Sequence, residues 1–461
     1  GLNSFLNQDY NNAEKYFLRL NKISRSNIVF NNFIGNILMA WIKAEQDDRE
    51  SSLKFIKSIP KPYYHLKRVQ KIFLKCYFND SETQKEFEAL IDDKEYNFSR
   101  YNFFLTNYLL SQNKFKEAKK TIKIARKKYD SNLLLQHTEY FLLKNEYQKV
   151  TNFFDCKNPK DAIAEFFYVM ANLYSSDDDY KLSNFYLKIS LFLNKNFIPN
   201  KALLAENFYY QKKDKEAKNV YFSIKKLGPV YSWHSSQNIA SIMLNGKGKK
   251  ASVKSLEKAF NLLKDPSFKH YYDLANFYKD NENFKESIKY YTLALQKIKN
   301  DHFLVPKILD RRGTSFERIG DWESAEKDLM KSLKILPDQA HTLNYLAYTW
   351  IDRGINLDQG LVMLKKAMEL RKNDGYITDS IGWAYYAKKD YIKAKFFLEK
   401  AVELMPLDPV INDHYADSLW MLNKNIQARY IWSSILKSDK AKKNLKTEIK
   451  KKLVFGIKKD I

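Results

Sequence analysis

The chain repeats itself, and nothing else about it limits the fold so strongly. Small residues at Gly313, Ala347, Gly382 and Ala416 recur every 34 residues, with one residue inserted before Gly382. Each is followed three positions later by a large one, Phe316, Trp350, Tyr385 or Leu419. Twelve positions after the small residue comes another, at Ala325, Ala394 and Ala428. The spacing has a mechanical cause: a small residue on each of two antiparallel helices lets them approach closely, and the large residue fills the groove beside it. Pro337 and Pro406 stop the second helix, because proline cannot continue one. A period of this length marks stacked helical hairpins, none of which buries its apolar face alone.

Composition agrees. Gly (12) and Pro (10) are scarce in 461 residues, which argues against turn-rich sandwiches, barrels and glycine-loop nucleotide folds. Hydrophobic residues at 44% and aromatic ones at 15% are too many for a disordered chain. Weaker copies extend the phase backwards, through Ala275 and Ala294, Ala240 and Ala259, Ala205 and Ala217, Ala171 and Leu187, to Ala118 and Ala125. The segment 64–93 fits poorly, since Lys85 falls where a small residue is expected. The first unit reads as incomplete: Tyr10, Ala13, Phe17 and Leu20 mark a second helix whose partner is expected to begin before Gly1.

Period 34 with these residues resembles the tetratricopeptide repeat (TPR), a helix-turn-helix unit. The resemblance implies an all-α, right-handed TPR superhelix of about thirteen repeats with a C-terminal capping helix. It divides into a divergent N-terminal array (1–165), a middle array (166–305), a regular C-terminal array (306–442) and a basic capping helix (443–461). Within 343–420 the insertion Gly354-Ile355-Asn356-Leu357-Asp358, the run Asp379-Ser380-Ile381-Gly382-Trp383 and the run Asp408-Pro409-Val410-Ile411 look like the C-terminal array of a family of proteobacterial TPR proteins. Lys372 stands where that family usually has Pro, and Gly360 where it has Ala. The family implies an adaptor or assembly role. It also implies a periplasmic or outer-membrane-associated location if an export signal has been removed, and otherwise a cytoplasmic one.

Catalytic signatures do not occur: the sequence has no phosphate loop, GxGxxG, HExxH or GxSxG. Its seven histidines are scattered, and Asp177-Asp178-Asp179 falls in a predicted turn. No catalytic residue, cofactor or metal site is assigned, and no small-molecule substrate is expected. Cys76 and Cys156 form no CxxC cluster, and neither a disulfide framework nor a zinc site is expected from them. The best apolar run, 28–42, is broken by Asn31, Asn32 and Asn36, so no membrane span is expected.

Function is expected on the exposed face of each first helix, which lines a concave groove. In the C-terminal units that face comprises Asn344, Tyr348, Ile351 and Asp352, then Asp379, Trp383 and Tyr386, then Asp413, Asp417 and Trp420. Trp383, Tyr386 and Trp420 either serve as aromatic anchors for a bound segment or pack against the neighbouring repeat and the cap. The carboxylates disfavour an acidic terminus and favour a basic or mixed polar-aromatic segment. The leading expectation is a non-enzymatic scaffold for protein or peptide partners, with homo-oligomerisation open. Two alternatives remain, a nucleic-acid-binding solenoid and the substrate arm of an enzyme lying upstream of Gly1. The formal charge of +25 motivates the former. Against it, only 12 of the 79 basic residues are Arg, and Lys spread through every repeat also reads as plain solvation. The densest basic stretch, from Lys437 to Lys459, could touch an anionic surface.

Overall fold

The computed structural model describes residues 1–23 and 31–457; Ile28 and Lys459, named above, lie outside the described residues. These residues form α-helices in consecutive antiparallel pairs, an α-solenoid, grouped into two compact units, Gly1–Ala259 and Phe260–Ile461. In the first unit the pairs are α1 (Leu2–Leu6) with α2 (Tyr10–Ile23), α3 (Asn31–Glu45) with α4 (Arg49–Lys57), and α5 (Tyr64–Tyr77) with α6 (Thr83–Ile91). Then follow α7 (Tyr101–Ser111) with α8 (Phe115–Lys128), α9 (Leu133–Leu143) with α10 (Gln148–Thr151), and α11 (Pro159–Ser176) with α12 (Tyr180–Leu193). Next come α13 (Ile198–Tyr210) with α14 (Asp214–Ile224), and α15 (Pro229–Asn261), which breaks into two helices at Gly248. The second unit pairs α16 (Phe268–Asp280) with α17 (Phe284–Lys297), and α18 (Val305–Arg318) with α19 (Trp322–Ile335). It continues with α20 (Ala340–Asp352) and α21 (Leu357–Leu370), α22 (Gly375–Ala387) and α23 (Tyr391–Leu404), and α24 (Pro409–Met421) and α25 (Asn425–Lys437), and ends on α26 (Lys443–Phe455).

The hairpin turn is the repeating mark of the backbone. Among the described residues each pair carries a residue of positive φ between its helices: Gln8, Asp47, Asn79, Asn113, Asn145, Asp178, Lys212, Gly248, Glu282, Gly320, Gly354, Lys389 and Asn423; the α20–α21 pair carries a second, Asn356. At each of these but Gly248, where ψ is 171°, the next amide reaches back five residues, as Asp48 N to Lys43 O (2.9 Å), Lys213 N to Phe208 O (2.8 Å) and Lys424 N to Leu419 O (2.9 Å). This bond closes the first helix with a left-handed turn that satisfies its last carbonyls. With the break at Gly248, one turn per repeat makes thirteen among the described residues, the expected number. Asp177-Asp178-Asp179 is one of them, and Asp179 caps α12 by accepting from Leu182 N.

Inside each hairpin the small residues act as expected. Ala325, Ala347, Ala394, Ala416 and Ala428 have no exposed surface. A Cβ on Gly382 would come within 2.5 Å of Leu398 Cγ, and one on Gly313 within 3.0 Å of Leu329 Cγ. Where serine takes the slot it bonds the facing helix: Ser52 Oγ donates to Ala40 O (2.8 Å) and Ser252 Oγ to Ala240 O (2.6 Å).

The first unit does not keep an open trough along its first helices. In α7 almost every residue from Tyr101 to Leu110 is buried, because the sequence YNFFLTNYLL offers no polar face. Helix α11 packs on both α3 and α5, over which Phe166 meets Phe33 at 5.7 Å between ring centroids. Phe73 of α5 gathers Phe104 (5.2 Å) and Phe154 (5.0 Å) around it. Arg100 lies over Tyr168 (4.3 Å) and pairs with the buried Glu165. Aromatic side chains fill much of the space along these first helices.

The two cysteines correct an expectation. Cys76, at the end of α5, is disulfide-bonded to Cys156, just before α11, with Cα atoms 5.9 Å apart across 80 residues of sequence. Sequence spacing hid the pair because the packing of α11 onto α5 brings them together. Lys157 adds to the tie by donating to Cys76 O (2.8 Å) and Tyr77 O (2.6 Å). No helix among the described residues is long and apolar enough to cross a membrane.

Candidate functional site

Two stretches of the inner face of the second unit matter. Along α20, α22 and α24 the expected residues gather into a polar-aromatic ladder. Asp379 is buried and its oxygens lie 3.0 and 3.1 Å from His414 Nδ1. The His414 ring stacks on Trp383 (4.1 Å between centroids), which stacks in turn on Tyr386 (4.6 Å). Tyr348 stands 6.5 Å from the same imidazole, and its hydroxyl pKa is raised by burial and then by Asp352 and Asp379. Asp352 is exposed, and Asn344 Oδ1 is buried without a hydrogen-bond partner. Ile351 is not on the groove: it is buried against Gly360 inside the hairpin.

The last three expected residues are covered by the chain itself. Asp413 and Asp417 are buried, and Lys452 of α26 bonds both, at 2.9 Å and 2.7 Å. Trp432 Nε1 also donates to Asp417 (3.2 Å), and Trp420 Nε1 donates to Ile457 O (3.0 Å). Burial, and then the neighbouring Asp413, raise the Asp417 pKa to about 6. Burial opposes the charge on Lys452, yet Asp417 and Asp413 outweigh it and raise its pKa. The basic group that these acidic slots favour is thus supplied by α26. Sequence reasoning found the carboxylates and the cap separately; the signal joining them was the lone inward lysine beside Ile449 and Leu453 on the apolar face of α26.

The open part of the inner face lies one step earlier and was not singled out from sequence. Between α18 and α20 a cavity of about 870 Å³ opens, lined by Lys307, Asp310, Arg311 and Arg318 of α18 and by His341 and Tyr345 of α20. Lys279, Phe303, Leu336 and Arg371 complete its rim. Arg311 is half-buried, its Nη1 donating to Asn276 Oδ1 (2.8 Å). Asp310 accepts from Thr342 Oγ1 (2.8 Å), and Glu317 accepts from the Tyr345 hydroxyl (2.7 Å). A smaller cavity of about 500 Å³ in the first unit is lined by Phe141, Lys149, Lys195, Lys201 and Lys226. Among the described residues no His, Cys, Asp and Glu cluster could hold a metal ion.

The model of the tetratricopeptide repeat family matches residues 269–296 and 380–406. The first match covers the α16–α17 hairpin and the second runs along α22 and α23, in phase with the thirteen turns. Both matched stretches are tetratricopeptide repeats. A TPR repeat-containing protein of Pseudomonas aeruginosa is 32% identical over 99 residues, 22% of this chain and 17% of that protein's length. Among solved structures, a tetratricopeptide repeat protein from Parabacteroides merdae is 18% identical over 48% of this TPR chain and 86% of its own, with a TM-score of 0.40. MamA from Desulfovibrio magneticus is 15% identical, covering 39% of this chain and 99% of its own with a TM-score of 0.34. A TPR protein of Thermus thermophilus is 16% identical over 41% and 100%, with a TM-score of 0.36.

Proposed function

We propose that this TPR chain is a non-enzymatic scaffold that binds a protein or peptide segment along the inner face of its second unit, over α18 and α20. The single observation that carries the reading is the contrast between the two inner faces. Aromatic side chains pack the first unit along α3, α5, α7 and α11 and leave it a smaller cavity of about 500 Å³, whereas the second keeps one of about 870 Å³ lined by first-helix side chains. An open cleft that runs over two neighbouring first helices, with exposed Phe303 and Leu336 at its edge, suits an extended segment.

The location we propose is an oxidising compartment, such as the periplasm. The support is the Cys76–Cys156 bond, which uses both cysteines of the chain, since such bonds persist outside the reducing cytosol. The exposed Lys443, Lys450 and Lys451 of α26 give a further surface for anionic contact.

The test uses peptides selected from a random library on the immobilised full chain. Their affinity is measured for wild type and for a Lys307→Trp, His341→Trp double variant, whose bulky side chains obstruct the trough from two exposed positions. A loss of about tenfold or more is expected. Equal affinity for both proteins would move the binding face elsewhere.

A further inference from the structure

We propose that the trough over α18 and α20 takes an acidic segment of a partner protein, its side-chain carboxylates seated on Arg311, Arg318 and Lys307. The inference rests on the peptide-groove reading above and adds the partner's chemistry. It reverses the charge that the carboxylates of α22 and α24 suggest, for those are satisfied by His414 and Lys452.

The charge inventory of the cavity is one-sided. Lys279, Lys307, Arg311, Arg318 and Arg371 line it against one carboxylate, Asp310. That carboxylate is already occupied by Thr342, with His341 Nδ1 3.8 Å away. Glu317, beside the rim, is held by Tyr345 and lies 3.6 Å from Arg318. A cleft lined by one sign of charge concentrates its field on what enters.

The choice of arginine carries the argument further. In a chain where only 12 of the 79 basic residues are Arg, three line this cavity. Most Arg is spent on carboxylates within the fold, as in Arg68 to Asp93 (2.7 Å), Arg126 to Asp130 (2.7 Å) and the two-pronged Arg312 to Asp328 (2.6 and 2.9 Å), and at the cavity the exposed Arg318 and Arg371 stand at 3.6 Å from Glu317 and 3.5 Å from Asp374. Arg311 differs: it donates to the Asn276 amide oxygen (2.8 Å), and its guanidinium stands 5.9 Å from the Tyr272 ring. Asn276, Tyr272 and Tyr291 hold it in place, and Asp280 acts on it only through space. A positioned, partly desolvated guanidinium with no carboxylate in direct contact among the described residues suits an incoming one, which it binds with two parallel hydrogen bonds. Exposed Phe303 and Leu336 offer apolar seats at the edge of the same cavity. The matching segment therefore alternates Asp or Glu with a large apolar residue.

The experiment is fluorescence anisotropy on the full chain. The probes are a labelled peptide of about twelve residues containing Glu, Asp and Leu, the same peptide with Gln and Asn in place of the acids, and a single-stranded oligonucleotide of equal charge. Two groove variants are compared, Arg311→Gln and the doubly exposed Arg318→Gln, Arg371→Gln. The control, Lys327→Gln, Lys331→Gln, removes two charges from the exposed side of α19. The acidic peptide should bind, with each groove variant weakening it about tenfold and the control less than about twofold. Should Arg311→Gln fail to fold, the exposed pair still decides.

Control and groove variants that weaken binding alike would overturn the proposal, because the attraction would then be net charge alone. Equal binding of the Gln and Asn peptide would overturn it too, as would tighter, Arg-dependent binding of the oligonucleotide. If the acidic peptide fails while library peptides still lose affinity in the obstructed trough, the groove reading stands and this one falls. If neither set responds, both fall.

Discussion

His414 and Asp379 belong to successive repeats, 35 residues apart, and meet across the interface with the His414 ring stacked on Trp383. Burial disfavours charge on the imidazole, but Asp379, Asp417 and Asp413 outweigh it and raise its pKa. A pKa raised on folding means that the folded protein binds the proton more tightly. The stability is then fully present below the unfolded value near 6.5 and is lost as pH rises through the folded value. Asp417 acts in the same direction: with its pKa raised to about 6, stability falls as pH climbs from the usual carboxylate range through 6. The C-terminal repeats are therefore expected to melt at lower temperature at pH 8 than at pH 5. Differential scanning measurements should show that slope flattened in His414→Gln and Asp417→Asn, and an equal slope in all three proteins would contradict the assignment.

Lys452 is the sole cation bonded to Asp413 and Asp417 among the described residues, bonding both carboxylates. Removing one partner of a buried charge pair leaves the others unpaired, at a cost of about 3–5 kcal/mol. Lys452→Met should release α26 from the inner face, with Trp420 losing its bond to Ile457 and Gly456 losing its contact with the indole. Limited proteolysis should then cut within 443–457 while the first unit and the rest of the second stay intact. A Lys452→Met, Asp413→Asn, Asp417→Asn triple variant should recover much of the loss.

How far these features were legible follows from what each depends on. The small residues fixed the hairpins, because close helix approach is a local demand that Gly313, Ala347, Gly382 and Ala416 meet one repeat at a time. The carboxylates at 379, 413 and 417 were legible as first-helix residues, but their partners lie 35 or more residues away and depend on which helix packs next. The disulfide and the filled inner face of the first unit depend on how α11 curls back onto α3 and α5, which no hairpin encodes alone. The sequence of α7, which has no charged residue, was the local hint of that burial.

Two glycines should fail for different reasons. Gly354 has φ near +70 with open space where a Cβ would go, so Gly354→Ala meets backbone strain of about 1–2 kcal/mol. Gly382 is helical, and its added Cβ would press on Leu398, so Gly382→Ala overpacks by about 1–3 kcal/mol despite alanine's better helix propensity. Urea denaturation separates them when Leu398→Val is added. The second substitution should relieve Gly382→Ala and leave Gly354→Ala unchanged.

Reduction should loosen the first unit alone. Closing 80 residues with a disulfide is worth about 4.5 kcal/mol in the chain-entropy treatment. Dithiothreitol, or a Cys76→Ala, Cys156→Ala variant, should lower the unfolding midpoint of residues 1–259 and leave that of the second unit in place. Coincident shifts in both would contradict it.

The central claim, that partners bind the inner face of the second unit over α18 and α20, is tested most directly by hydrogen exchange of the full chain with and without a saturating library-selected peptide. The account predicts new protection in α18 and α20, none in α19 or α21, and no change in α7, whose amides are slow to exchange from the outset. Protection confined to α3 to α11, or to the second helices of the hairpins, would contradict it.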